Sequence, residues 1–375
     1  MEQQNEMTFA NATLSHEMMR ALGSMQINEA TEIQSKAITP LLEGRDVVAK
    51  APTGTGKTFA FGIPLLEQID PSLSAVQSLI LCPTRELAMQ ITGELLKLAR
   101  YKKSIRIVSI YGGQQIQKQI FALKKRPQII VATPGRLLDH LRRRTIKLNN
   151  LSYLVLDEAD EMLNMGFRAD IDTVLSKITN IHQTALFSAT MSREIENITK
   201  QYLVNPLSVA VSAKKEAKPN IEECYVEVKH DGKIPTLTKI LKRENYKLSL
   251  VFCNTKHMTD RLAKNLRNAG HAAEALHGDM RQPQRDKVIK KFRNGDLGIL
   301  VATDVAARGI DVKDIDAVFN YDVPLHAEYY VHRIGRTGRA KKSGKAYTFI
   351  YKKEKDKINM IMKKTHHKIR QEKLA

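Results

Sequence analysis

The run Ala51-Pro52-Thr53-Gly54-Thr55-Gly56-Lys57-Thr58 places small residues, two glycines, a lysine and a hydroxyl directly behind the apolar Val47-Val48-Ala49. Small residues let successive backbone N–H groups turn into one concavity, and a helix starting near Thr58 adds the positive end of its dipole. Both suit phosphate oxygens. Lys57 then has the charge to neutralise β- and γ-phosphates, and the Thr58 hydroxyl can ligate Mg2+. Ala51 stands where the strict phosphate-loop pattern has glycine. A glycine-rich helix cap is the competing reading, disfavoured because strand, loop and helix come in the required order. Further on, Leu154-Val155-Leu156 runs straight into Asp157-Glu158, so a strand delivers two carboxylates that point in different directions. Asp157 would hold hydrated Mg2+ and Glu158 would orient or deprotonate an attacking water. Alone, the pair is equally an acidic first turn favoured by a helix dipole. Beside a phosphate loop, the metal and water roles are preferred.

These groups need a scaffold that gathers strand ends. Short Val/Ile/Leu runs, such as 154–156, 184–187 and 317–319, alternate with amphipathic segments. Apolar strands followed by helices indicate parallel sheets covered on both faces, with ligands at the strands' carboxyl ends. The chain also repeats itself. Leu79-Ile80-Leu81-Cys82-Pro83-Thr84-Arg85 has a counterpart in Leu250-Val251-Phe252-Cys253-Asn254-Thr255-Lys256, and Ile130-Val131-Ala132-Thr133 in Leu300-Val301-Ala302-Thr303. Cys82 and Cys253 are 171 residues apart, Thr133 and Thr303 170. Two matches at nearly one offset imply a duplicated α/β domain, expected at 1–211 and 221–375, with the polar segment 212–220 as linker.

The formal charge of +20 and pI near 9.7 point to a polyanionic partner, nucleic acid or an anionic membrane. No run approaches the roughly 20 apolar residues that span a bilayer, and Met1-Glu2-Gln3-Gln4-Asn5-Glu6 lacks the basic start and apolar core of a signal peptide. Cys82, Cys224 and Cys253 are too scattered for a disulfide framework or a zinc site, and Cys82 and Cys253 read as buried thiols. A cytoplasmic location without membrane association is expected.

With these residues in place, the sequence resembles the DEAD-box family of ATP-dependent RNA helicases along nearly its whole length. Asp157-Glu158-Ala159-Asp160 carries the family name, and five further runs look like its other signatures in the family's order. They are Pro83-Thr84-Arg85-Glu86-Leu87-Ala88, Thr133-Pro134-Gly135-Arg136, Ser188-Ala189-Thr190, the run from Ala302 to Asp311, and His332-Arg333-Ile334-Gly335-Arg336-Thr337-Gly338-Arg339. The resemblance implies two tandem RecA-like domains, each a parallel β-sheet flanked by helices, that close around ATP and RNA. It makes Arg336 and Arg339 arginine fingers that stabilise transition-state charge. Asp311 would contact the ribose and His332 would join the ATP site to the domain interface. Asp160, Ser188 and Thr190 would couple hydrolysis to strand separation; for Ser188 and Thr190, a cap on the helix that follows is the local alternative. Gln34 matches the family's adenine-reading glutamine, although Thr31-Glu32-Ile33-Gln34 also fits a capping box. Ile27 and Ala30 stand where the family has an aromatic and a proline. Phe9, upstream, is expected to pack on the base.

The same resemblance implies a grip on the sugar–phosphate backbone, hence weak sequence preference and strong salt dependence. The matching positions are Pro83, Thr84 and Arg85, Gly112 and Gly113, and Thr133, Pro134, Gly135 and Arg136 in the first domain. Gln282, Arg285 and Thr303 match in the second. The helix opened by Pro134-Gly135 would bend the strand, giving local melting of short duplexes, and 2′-hydroxyl contacts would favour RNA over DNA. A nucleotide-gated RNA clamp or assembly platform uses the same residues and is the alternative function. The basic C-terminal segment reads as an amphipathic helix packed on the second domain or as a supplementary RNA contact. A core-only, bacterial-type member acting as a monomer on ribosomal precursor particles is the expected setting.

Overall fold

Apolar runs of four to seven residues become strands in two parallel sheets. The computed structural model describes residues 9, 13–52, 54–178, 182–211, 221–307, 312, 315–338 and 343–373. Thr53, the 212–220 linker, Asp311 and Arg339 therefore lie outside the described residues. The chain divides into two compact units, Met1–Lys214 and Lys215–Ala375.

In the first unit, β1 (Val47–Lys50), β2 (Ser78–Leu81), β3 (Ile107–Ile110), β4 (Ile129–Ala132), β5 (Tyr153–Leu156), β6 (Gln183–Ser188) and β7 (Leu207–Ala210) pair in the order β3-β4-β2-β5-β6-β1-β7. Every residue of β2, β4, β5 and β6 is buried, because helices cover both faces. Alternation along the strands sends Ile80, Val131, Val155 and Phe187 into one hydrophobic cluster and Leu79, Ile130, Leu154 and Leu186 into the other.

In the second unit, β8 (Ile221–Glu227), β9 (Ser249–Phe252), β10 (Ala273–Leu276), β11 (Ile299–Ala302), β12 (Ala317–Asn320), β13 (Gly344–Ile350) and β14 (Arg370–Gln371) pair in the order β10-β11-β9-β12-β13-β8-β14. That is the first order with each strand replaced by its counterpart in the repeat. The likeness reaches individual caps. Thr84 and Thr255, both at φ −129°, each accept a hydrogen bond from the backbone N–H three residues on and start a helix after β2 and β9. Cys82 and Cys253 occupy matching buried places, and burial pushes both thiols up.

The C-terminal segment packs on the second unit. Ile358 and Ile361 of the helix Lys355–Thr365 sit in a cluster with Tyr330 and Ile334. The chain then adds β14 at the edge of the sheet beside β8, with Arg370 opposite Cys224 and Gln371 opposite Tyr225. Two residues of a polar tail carry no strand pattern, so the sequence offered no sign of this pairing. Because Ile361 is 1% exposed, Ile361→Ala should cost about 2–5 kcal/mol of stability, read as an earlier denaturant midpoint for the second unit.

Candidate active site

The phosphate loop joins β1 to the helix Lys57–Gln68. Gly54 and Gly56 hold φ of +83° and +92°, a left-handed backbone that other residues reach only under strain. At Gly56 the space is closed as well, since a Cβ would lie 2.5 Å from Gln34 Nε2. Lys57 is 6% exposed. Its Nζ makes no hydrogen bond among the described residues and lies 3.9 Å from Asp157 Oδ1. A buried ammonium is costly without full compensation. The site thus fits an added anion, and the loop's open backbone suits phosphate.

Asp157 follows β5, and its Oδ1 accepts from the Glu158 N–H at 3.0 Å. Burial pushes the Asp157 carboxyl above the ordinary carboxylate range, while Lys57 and that N–H pull it back. Glu158 adopts φ +50°, ψ +50° at the start of the helix Ala159–Asn164. A non-glycine residue there stores strain on the order of 1–3 kcal/mol, of the kind that clusters at functional sites. The strained turn is pinned from below. Asp160 Oδ2 accepts from Thr190 N–H at 2.9 Å and from Thr190 Oγ1 at 3.0 Å, and Ser188 Oγ donates to Thr190 O at 2.6 Å. The helix Arg193–Tyr202 is capped by Ser192, which accepts from Ile195 N–H. Ser188 and Thr190 therefore do not serve as its cap; they join β6 to the acidic turn.

The capping box at Thr31 is present, and it does not use up Gln34. Gln34 Oε1 accepts from Thr31 N–H at 2.9 Å, while Nε2 donates to Gly56 O at 3.1 Å, so one side chain ties a helix start to the phosphate loop. Phe9 departs from its expected place. Its ring is 1% exposed in the cluster that holds Ile33 and Phe61, and it offers no open face to a base. Its apolar surface is better satisfied by the core.

Parallel register divides the carboxyl edge of the first sheet. Ile110, Ala132 and Leu81 end β3, β4 and β2 side by side. The residues that follow, Gly112-Gly113, Thr133 to Arg136 and Pro83 to Arg85, are brought together there. Gly113, at φ +85°, has Arg85 Nη1 2.6 Å from where a Cβ would stand. Arg136 Nη1 donates to Gln114 O at 2.9 Å and Gln119 Oε1 at 3.0 Å. Gln119 Oε1 also lies 3.0 Å from His140 Nε2, and burial first, then Arg136, holds that imidazole below its ordinary pKa. The other half of the edge, β5, β6 and β1, carries the acidic turn, Ser188 to Thr190 and the phosphate loop.

In the second unit, Thr303 follows β11, and Gln282 begins the helix Gln282–Asn294. Arg285 is 4% exposed, with Nη1 3.4 Å from His277 O, so it faces inward rather than outward to a phosphate. His332 and Arg336 share a pocket lined also by Phe252, Asp304 and Tyr329. Sequence reasoning assigned no task to Arg333 between them. It is 1% exposed and grips Asp304 through Nε at 2.6 Å and Nη2 at 2.7 Å. It also donates to Asn254 Oδ1 at 2.8 Å and Asp322 O at 2.8 Å. The available signal was an arginine beside the apolar stripe Ala327, Tyr330 and Ile334, with Asp304 after a buried strand to pair with it.

The second unit also has a lysine where the first has Lys57. Gly232-Lys233 opens the helix after β8 as Gly56-Lys57 does after β1. Lys233 is equally buried, but Nζ donates to Tyr321 O at 2.7 Å and lies 3.3 Å from Asp322 Oδ1. Its charge is already answered.

A phosphate loop, an acidic turn and a polar-rich strand edge on one sheet, beside a second sheet of the same topology, define a tandem RecA-like nucleoside triphosphatase. The DEAD/DEAH box helicase family matches residues 31–198, and the helicase conserved C-terminal domain matches residues 232–341. The chain is 49% identical to the DEAD-box ATP-dependent RNA helicase CshA of Bacillus subtilis, over 96% of this chain and 73% of that one. A DEAD box protein from the hyperthermophile Methanococcus jannaschii aligns at 43% identity and TM-score 0.55, covering 98% of this chain and 99% of that one. S. cerevisiae Dbp5 bound to RNA and ADP BeF3 aligns at 30% identity and TM-score 0.85, covering 97% and 95%. The chain belongs to the DEAD-box family of ATP-dependent RNA helicases, enzymes whose ATPase is stimulated by RNA.

Arg333→Lys keeps the charge and loses the two-pronged grip on Asp304. Maximal RNA-stimulated turnover should fall by about 10-fold or more for a lost buried charge-assisted pair, with KM for ATP little changed; an unaltered kcat would remove Arg333 from the positioning of its neighbours.

Proposed function

We propose that this helicase binds ATP on the first unit, residues 1–211, and uses the second unit, 221–375, to complete hydrolysis and RNA binding. The observation that carries this reading is the buried Lys57 ammonium without a hydrogen bond, 3.9 Å from Asp157 beneath a loop of small residues. Gly54, Thr55, Gly56 and Thr53 give their backbone to the phosphates, and Lys57 offsets β- and γ-phosphate charge. Thr58 and Asp157 hold Mg2+, mostly through water. The ion supplies charge neutralisation when bound. Glu158 orients or deprotonates the attacking water. Arg336 and Arg339 add positive charge as the γ-phosphate leaves, Asp311 contacts the ribose, and Gln34 reads adenine from its anchored place beside Gly56. Asp160, Ser188, Thr190 and His332 transmit the nucleotide state.

RNA lies along the edge formed by Pro83, Thr84, Arg85, Gly112, Gly113 and Thr133 to Arg136, with Gln282 and Thr303 from the second unit. Backbone gripping favours local opening of short duplexes or displacement of bound protein over sequence-specific readout. No helix among the described residues is long and apolar enough to cross a membrane. The charge of +20 suits a polyanionic partner. We assign the protein to the cytoplasm, as a monomer acting on RNA such as that of ribosomal precursor particles.

Lys57→Ala should abolish ATP turnover in a steady-state assay with saturating RNA. Glu158→Gln should lower kcat by about 10²–10⁴-fold, as expected for loss of a general base, yet retain ATP-dependent RNA binding in a filter or anisotropy assay. Full RNA-dependent turnover by Glu158→Gln would refute the assigned role. In a nucleotide panel ATP should be preferred; GTP hydrolysed equally fast would remove the adenine role of Gln34.

A further inference from the structure

The helix Ile116–Leu123, directly after Gly112-Gly113, has two faces with different tasks. Its inner face is fixed by Gln119, which is 2% exposed, donates to Tyr111 O at 2.9 Å and receives Arg136. Its outer face carries Phe121, whose ring stays 67% exposed although Lys125 Nζ lies 5.8 Å from its centroid. An aromatic left this open on a helix whose other face is packed forgoes burial that the core could have provided. Around it, Lys118 stands one turn before, Lys124, Lys125 and Arg126 follow at the helix end, and all are exposed. None of these four makes an ion pair among the described residues. Arg106 adds a fifth positive charge, held there by its Nη1 donating to Lys125 O at 2.8 Å. The whole stretch 95–138 contains no Asp or Glu.

We propose that Phe121 is a base-stacking platform, flanked by Lys118, Lys124, Lys125 and Arg126, that holds an RNA nucleotide beyond the backbone-gripping edge. The inference rests on the reading that Gly112, Gly113 and Arg136 face RNA. Two chemistries meet here. Lysines and arginines without acidic partners attract phosphates, and a single exposed ring accepts the face of any base. That combination is how single strands are held without sequence preference. Gln119 accepts from Arg136 Nη1 at 3.0 Å, which ties the helix that carries Phe121 to a residue of the backbone-gripping edge. An acidic protein partner would be answered by the charges alone and would not need an open aromatic among them; the helix's place shortly after Gly112-Gly113 and its tie to Arg136 favour RNA.

The chain contains no tryptophan, so Phe121→Trp installs a single indole reporter at the platform. Unstructured single-stranded RNA should quench its emission saturably, at the concentrations that stimulate ATP hydrolysis by the same variant. Inorganic polyphosphate, which has charge and no bases, should leave emission unchanged. Phe121→Ala should raise the RNA concentration for half-maximal ATPase stimulation by about 10-fold, the loss expected for one stacked base, with Phe121→Tyr restoring it. RNA that stimulates hydrolysis fully while leaving the tryptophan emission untouched overturns the platform and leaves the helicase reading standing. Quenching by polyglutamate equal to that by RNA also overturns it, in favour of a protein-docking surface. A wild-type ATPase that RNA does not stimulate at all would sink the underlying reading and the platform with it.

Discussion

A buried ammonium without a hydrogen bond is the constraint around which the first unit is arranged. Lys57 is withdrawn from water, yet among the described residues its Nζ has only Asp157 within ion-pair distance, at 3.9 Å. The full desolvation cost of a charge is recovered only by close, well-directed partners. Lys233 shows what full satisfaction looks like in the same fold. From the equivalent helix start it donates at 2.7 Å to Tyr321 O and reaches Asp322. One lysine is held ready for a ligand, and the other is part of the core. The two matching helix starts therefore differ in what each lysine touches.

From that point the first sheet distributes its work by strand order. The strands nearest the phosphate loop deliver the acidic turn and the Ser188 to Thr190 segment, and the strands beyond deliver the residues matched to RNA. β2 and β5 are hydrogen-bonded neighbours, so the acidic turn and the Pro83 to Arg85 segment follow adjacent strand ends. Asp160 is the element that makes the boundary stiff, because its Oδ2 takes two hydrogen bonds from Thr190. Arg333 has the comparable place in the second unit, where one guanidinium ties the ends of β9, β11 and β12 to the helix that bears His332.

Much of this was legible in the sequence for a physical reason. Strands buried on both faces must be continuously apolar, and the groups that follow them must lie at one edge; motif order and strand ends could therefore be paired without coordinates. The internal repeat was equally visible, because Cys82 and Cys253 fill the same buried position. What stayed hidden were interactions set by distance between remote segments. Nothing in the local pattern shows that Gln34 bonds Gly56, that Phe9 turns into the core, that Arg285 points inward or that residues 370–371 join a sheet. Arg333 was hidden differently. A basic residue in a motif of basic residues reads as surface until burial shows that it is a bolt.

The same electrostatics explain why hydrolysis in such a site should be conditional. Asp157 and Lys57 together are close to neutral when both are charged, and burial already pushes the Asp157 carboxyl toward its uncharged form. A triphosphate brings several negative charges to this low-dielectric edge, where like-charge repulsion is strong. One lysine cannot answer them, and an ionised Asp157 makes the imbalance worse. A divalent cation held by Asp157 and Thr58, as proposed, would supply part of the missing positive charge. The charge that develops on the leaving γ-phosphate remains, and among the described residues of the first unit Lys57 is the one buried lysine or arginine. The missing charge must come from elsewhere in the protein. The proposed roles of Arg336 and Arg339 would meet that demand, so that ATP binding and its hydrolysis would draw on different parts of the chain.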